Sequence, residues 1–170
     1  MKRFLLLFLA TVVTAWSASA QLSVSQLRTE HLTDPVGIGE RRPLLSWEVS
    51  DASRRGVTQS AYEIRVKSGG RTVWRTGKVA SAESAGVFYD GTPLTSDTRY
   101  TWQVRVWDDR GKASAWSRPA FWRTGLFDVG EWQARWIEPA VSDDLAAMFR
   151  RTFRVTKPVA EATVYVTAHG

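Results

Sequence analysis

Apolar and polar residues alternate most cleanly between Arg99 and Trp107. Tyr100, Trp102, Val104 and Val106 share one side, and Arg99, Thr101, Gln103 and Arg105 share the other. A period of two belongs to a strand with one buried face; an amphipathic helix would repeat its apolar positions every three to four residues. Residues 59–67 show the same pattern, with Tyr62, Ile64 and Val66 expected inward and Glu63, Arg65 and Lys67 outward. Residues 43–50 place Leu45, Trp47 and Val49 on one face. Weaker strands are expected at 22–30, 71–76, 87–89 and 116–124, the last interrupted by Pro119, which suits an edge or a bulge. Turn-forming residues separate them at 34–39, 51–56, 68–70, 90–93 and 108–111. Seven short strands with no convincing helix predict an all-β sandwich over residues 22–125.

Past the sandwich, residues 126–140 read as an interdomain joint, in which Gly130-Glu131-Trp132 suggests one tight turn. Two further strands are expected at 148–155, with Phe149, Phe153 and Val155 on one face, and at 162–168. Two or three strands cannot hide an apolar face by themselves. Residues 141–170 are therefore expected to be the start of a second, incomplete β-domain.

The amino terminus changes the picture of where the chain works. Lys2 and Arg3 precede an apolar run over residues 4–13, and Ala18-Ser19-Ala20 follows as a small-x-small site. This predicts a signal peptide over residues 1–20, cut before Gln21, and export to the periplasm or beyond. The apolar run is too short for a membrane-spanning helix, and no other span is expected after cleavage. There is no cysteine. The exported domain would rely on its core, with no disulfide framework. The formal charge of +6 falls to +4 once Lys2 and Arg3 are removed. The arginines are scattered, without the clustered stripe or motif of a nucleic-acid binder, so a solvated surface is expected and nucleic acid is not.

Several longer stretches carry a resemblance when taken in order. Leu94, Thr98 and Tyr100 form Leu-x3-Thr-x-Tyr, which resembles the tyrosine corner of fibronectin type III domains, where the hydroxyl turns back onto upstream backbone. Residues 37–47 read GIGERRPLLSW; WQVRVWDDRGKASAWS, FWRTGLFDVGEWQARWI and FRRTFRVTKPVAEATVYVTAHG come after. Together they resemble the amino-terminal region of bacterial α-L-rhamnosidases of glycoside hydrolase family 78, over essentially all of the chain from Leu22. The resemblance implies a fibronectin type III or Ig-like sandwich and then the first strands of a truncated jelly-roll-like domain associated with sugar binding. It also implies a helical (α/α)6 barrel that carries catalysis and is absent from this sequence. Such enzymes are inverting: an acid and a base sit roughly 6.5–9.5 Å apart to admit water. That pair belongs to the barrel, so no residue here inherits a catalytic role.

The remaining chemistry is sparse. Glu48, Glu63, Glu83, Asp97, Asp108 and Asp109 are the obvious carboxylates, but no catalytic pair emerges from their spacing. Asp108-Asp109 reads as a turn that caps itself by hydrogen bonds. His31 and His169 are far apart, and with no cysteine no metal site or cofactor is expected. Arg41 and Arg42 precede Pro43 and suit either a bridge to a neighbouring domain or a solvated loop. Of nine tryptophans, one of them Trp16 in the leader, Trp47 and Trp102 are in phase with the core. Trp74, Trp107 and Trp122 are ambiguous in phase. Trp116, Phe127, Trp132 and Trp136, expected near the joint, are the candidates for interdomain or sugar contacts, since large amphipathic rings suit interfaces. The expectation is the non-catalytic amino-terminal part of a secreted α-L-rhamnosidase, with rhamnosides and the intramolecular barrel as partners. The rivals are a stand-alone fibronectin-like binding module and a carbohydrate-binding protein.

Overall fold

The structure, a computed structural model, describes residues 22–139 and 147–168. The expected signal peptide, its cut before Gln21 and His169 lie outside the described residues. The chain divides after Gln133 into two units. The first holds eight strands: β1 (Ser23–Thr29), β2 (Val36–Ile38), β3 (Leu44–Ser50), β4 (Gln59–Ser68), β5 (Arg71–Arg75), β6 (Val87–Phe88), β7 (Arg99–Asp108) and β8 (Ala120–Thr124). One sheet runs β1-β3-β6 and the other β2-β8-β7-β4-β5. The chain changes sheet between β1 and β2, β2 and β3, β3 and β4, β5 and β6, and β6 and β7. That exchange is how a sandwich of this class encloses its core.

β4 and β7 are the longest strands and lie side by side, antiparallel from Gln59↔Asp108 to Lys67↔Thr101. Their inward residues Ile64, Val66, Val104 and Val106 are completely buried. Leu27, Leu45, Trp47 and Val87 face them from the smaller sheet within the same cluster. Gln59 is also buried, and its amide is matched on each side. It accepts from the Trp47 indole at 3.0 Å and donates to the carbonyls of Ser81 and Glu83.

The tyrosine corner forms as expected. The Tyr100 hydroxyl accepts from the backbone N–H of Thr95 at 2.9 Å. The Tyr100 ring stacks on Trp122 at 5.3 Å; Trp122 meets Tyr89 edge-on, and Tyr89 meets Trp74 edge-on. Offset and edge-on pairs of this kind add stability beyond area burial. The row sits tight against Gly91. A Cβ there would fall 2.5 Å from both the Trp74 Cβ and the Tyr89 hydroxyl, so only glycine fits. The indole nitrogens of Trp102 and Trp122 are buried without a hydrogen-bond partner among the described residues. The large apolar surfaces of the same rings offset that cost.

Four sequence expectations change. Residues 34–39, read as loop, contain β2, which pairs in parallel with β8. Three residues are too few to show a period, and Gly37 at φ +84° looks like turn chemistry from sequence alone. The expected strand 116–124 begins only at Ala120, because residues 113–117 meet β7 through the hydroxyls and N–H groups of Ser114 and Ser117 instead of a regular ladder. Trp122, ambiguous in phase, belongs to the core, as its neighbours on β8 show once the strand is shortened. Finally, residues 147–168 carry no strand at 148–155 or 162–168, and Met148, Phe153, Val164 and Val166 are exposed. Alternation marks a face that could be buried, but a strand exists only through ladder bonds to a neighbour. No described segment supplies them.

Trp102→Ala should lower unfolding free energy by about 3–5 kcal/mol, since it empties a completely packed site. Tyr100→Phe should cost only about 1 kcal/mol, the usual worth of one hydrogen bond. Urea unfolding of the two variants beside the parent measures both, and a near-neutral Trp102→Ala would mean that the core is placed wrongly.

Candidate functional site

The outer face of the larger sheet is built on the cross-strand pairs of β4 and β7: Ala61↔Trp107, Glu63↔Arg105, Arg65↔Gln103 and Lys67↔Thr101. Glu63 points outward as the alternation predicts, yet it is only 3% exposed. Arg75 from β5 covers one carboxylate oxygen at 2.7 Å, and Arg105 covers the other at 2.6 Å. Burial pushes the Glu63 carboxyl up, but these two guanidinium partners outweigh it and hold it below the usual carboxylate range.

Trp116 lies on this face. Ser114 and Ser117 explain why. The Val106 N–H donates to the Ser114 Oγ at 3.0 Å and the Val104 N–H to the Ser117 Oγ at 3.1 Å. The two serine N–H groups return bonds to the carbonyls of Val106 and Val104. Serine oxygens thus complete the β7 edge before β8 begins, and the intervening Trp116 turns outward. Its ring lies 4.2 Å from the Arg65 guanidinium and 4.9 Å from that of Arg105. Arg105 also approaches Trp107, whose ring carries Lys78 at 4.7 Å; Arg99 sits over Phe121 at 3.6 Å. Trp116, expected near the joint, belongs instead to this ladder of rings and cations.

The chain leaves the sandwich through a second cluster. After β8, Phe127 packs against the core, and Val129–Glu131 forms a single 3-10 turn. Glu131 reaches back to accept from Ser96 Oγ at 2.6 Å and from the N–H groups of Phe127 and Asp128. The Ser96 hydrogen bond, with the two backbone donors, holds its carboxyl below the ordinary range. Arg41 lies 4.6 Å above the Phe127 ring and bonds Asp128 at 3.1 Å. Arg42 bonds Asp90 at 3.1 Å. Both arginines therefore act within the first unit. Trp132 is 37% exposed at the end of this cluster, and Trp136, in the second unit, is exposed.

Elsewhere the carboxylates serve the fold. Asp108 accepts from the N–H groups of Lys112 and Arg110 and pairs with Arg54, which also holds Asp109. The Lys112 backbone bond is the largest influence keeping Asp108 acidic. Among the described residues no three potential ligands gather as a metal site, and no helix is long and apolar enough to cross a membrane.

A family model for the Rha78A-like N-terminal immunoglobulin domain matches residues 24–128. The chain belongs to this family. Similar to it are two α-L-rhamnosidases. The one from Streptomyces avermitilis is 37% identical over 86% of this chain, and the one from an Alteromonas species is 34% identical over 83%. The chain spans only 17% of the length of each. A solved structure of the Streptomyces avermitilis α-L-rhamnosidase complexed with L-rhamnose superposes with a TM-score of 0.66 and 43% identity, over 70% of this chain and 12% of that one. The match takes in the outer-face cluster and ends at Asp128, before Glu131 and Trp132.

Glu63, Asp108 and Glu131 are all more acidic folded than unfolded. Depressed carboxylates contribute stability that is present above the unfolded pKa, about 3.9 for Asp and about 4.3 for Glu, and is lost as pH falls through the folded value. The thermal midpoint of the domain should therefore hold between about pH 5 and 7 and drop steadily towards pH 3. Glu63→Gln should lower stability at pH 7 by about 1–3 kcal/mol and shrink the acid drop. Scanning calorimetry across that range reads both, and an undiminished acid drop in Glu63→Gln would contradict the assignment.

Proposed function

We propose that this chain is the amino-terminal, non-catalytic part of an exported bacterial α-L-rhamnosidase, an inverting glycoside hydrolase that removes terminal α-L-rhamnose from glycosides or polysaccharides. One observation carries the reading: the identity runs along most of this chain but covers about one-sixth of rhamnosidases that share it. The chemistry of the sandwich supports it. Glu63, Asp108 and Glu131 are each held by guanidinium groups, hydroxyls or backbone N–H donors, which suits a scaffold and leaves none poised as a general acid. In this reading residues 1–20 direct export and residues 126–140 are the joint. Residues 141–170 open a further β-domain, where the exposed alternating side chains of 148–155 find strand partners in later sequence. Phe127, Trp132 and Trp136 are the contacts through which the sandwich meets its neighbours.

The test is release of the chromophore from an aryl α-L-rhamnoside. A longer protein encoded from the same start should turn it over and yield inverted L-rhamnose by NMR. The 170-residue chain alone should release none. Turnover by the short chain that disappears on changing one of its own carboxylates would overturn the scaffold assignment, and an inert longer protein would overturn the activity.

A further inference from the structure

We propose that the outer face of the five-stranded sheet is a binding surface for a uronate-bearing, anionic polysaccharide, held by Arg65, Lys67, Lys78 and Arg99. The sequence shows these cations scattered through the chain; the fold brings them together. Arg65 and Lys67 on β4 and Arg99 on β7, which pairs with β8, stand at one end of the face, and Lys78 lies over Trp107 at the other. Arg65 and Lys67 are alternate positions on β4, roughly 6.6–6.8 Å apart along the strand, and Arg99 lies on β7 just beyond the Lys67↔Thr101 pair, so three cations cluster at that end. None of the four forms a salt bridge with a carboxylate among the described residues, whereas Arg75 and Arg105 on the same face share Glu63.

The ring contacts decide what kind of partner fits. Trp107, Trp116 and Phe121 each carry a cation within 5 Å, so these rings are engaged by the protein's own charges. Of the exposed large apolar side chains in the described residues, this sheet contributes Val36 alone, on its short edge strand β2. An apolar partner would have little to bury, and Lys is depleted from the centres of protein–protein interfaces. A ligand carrying repeated negative charge fits better. Glu63 shows how the face takes a carboxylate, with one guanidinium on each oxygen. Arginine forks match that planar geometry. Arg65 is already oriented, by two bonds to Gln103 Oε1 at 3.1 and 2.7 Å and by the Trp116 ring. A side chain ordered in advance loses less entropy on binding. That the polyanion is a glycan rests on the rhamnosidase reading; the charge cluster does not.

Biolayer interferometry of the chain on immobilised polygalacturonate, neutral dextran and double-stranded DNA tests the proposal. Binding to polygalacturonate should weaken with salt, and dextran should give none. The double variant Lys67→Ser/Arg99→Ser should lose about tenfold in affinity, as expected for two exposed charge contacts, with its circular dichroism spectrum unchanged. Arg28→Ser/Arg55→Ser removes the same charge elsewhere and should keep affinity. No binding to polygalacturonate, equal loss in the two double variants, or DNA bound as tightly as polygalacturonate would each overturn it. Rhamnoside turnover by the longer protein is read separately, so failure here leaves the rhamnosidase reading standing or falling on its own assay.

Discussion

The pairing of β4 with β7 governs both sides of this molecule. Inward, it presents Ile64, Val66, Val104 and Val106 as the floor of the core. Outward, the same register sets Glu63 opposite Arg105 and Arg65 opposite Gln103. A slip of one residue would reverse the faces, putting valines in water and arginines in the core. The register is therefore fixed by burial, and the order of charges outside is its consequence. The outer face gains its own rigidity in the same way: Glu63 is bracketed by arginines from β5 and β7, so three strands are tied above the sheet as well as below.

A lone buried carboxylate would be costly, and a buried ion pair is weak evidence for stability by itself. Glu63 differs in that both its oxygens are matched and both cations keep contact with water or with a ring. Arg105 is divided between Glu63, Trp107 and Trp116. That sharing links the ring ladder to the ion pair on the sheet through one side chain. Trp116 lies between Ser114 and Ser117, which both bond β7, so its place over Arg65 and Arg105 depends on those bonds.

Legibility in the sequence tracks the physics of each part. Strands β3, β4 and β7 were legible because one face of each is buried, which imposes alternation over five or more residues. The tyrosine corner was legible because Leu94, Thr98 and Tyr100 are local. β2 was not, since its three residues depend on β8, distant in sequence. The burial of Glu63 was invisible for the same reason: Arg75 and Arg105 lie 12 and 42 residues away. Trp116 was misplaced because its position comes from serine side chains acting as backbone. The alternation of 148–155 was real but had no neighbour to pair with among the described residues.

The exit of the chain shows how a sandwich can aim the polypeptide that leaves it. Phe127 packs against the core, Glu131 fastens the 3-10 turn to Ser96, and Arg41 reaches Asp128 across 87 residues of sequence. The two polar contacts join the exit to different loops of the sandwich, one before β7 and one before β3. Local flexibility at residues 125–131 would require all of them to open together, with the aromatic ring leaving the core. The direction of the chain as far as Glu131 is thus a property of the folded sandwich, set by the same core that β4 and β7 build. For a domain whose carboxylates serve its own architecture, fixing that direction is a mechanical contribution that needs no chemistry.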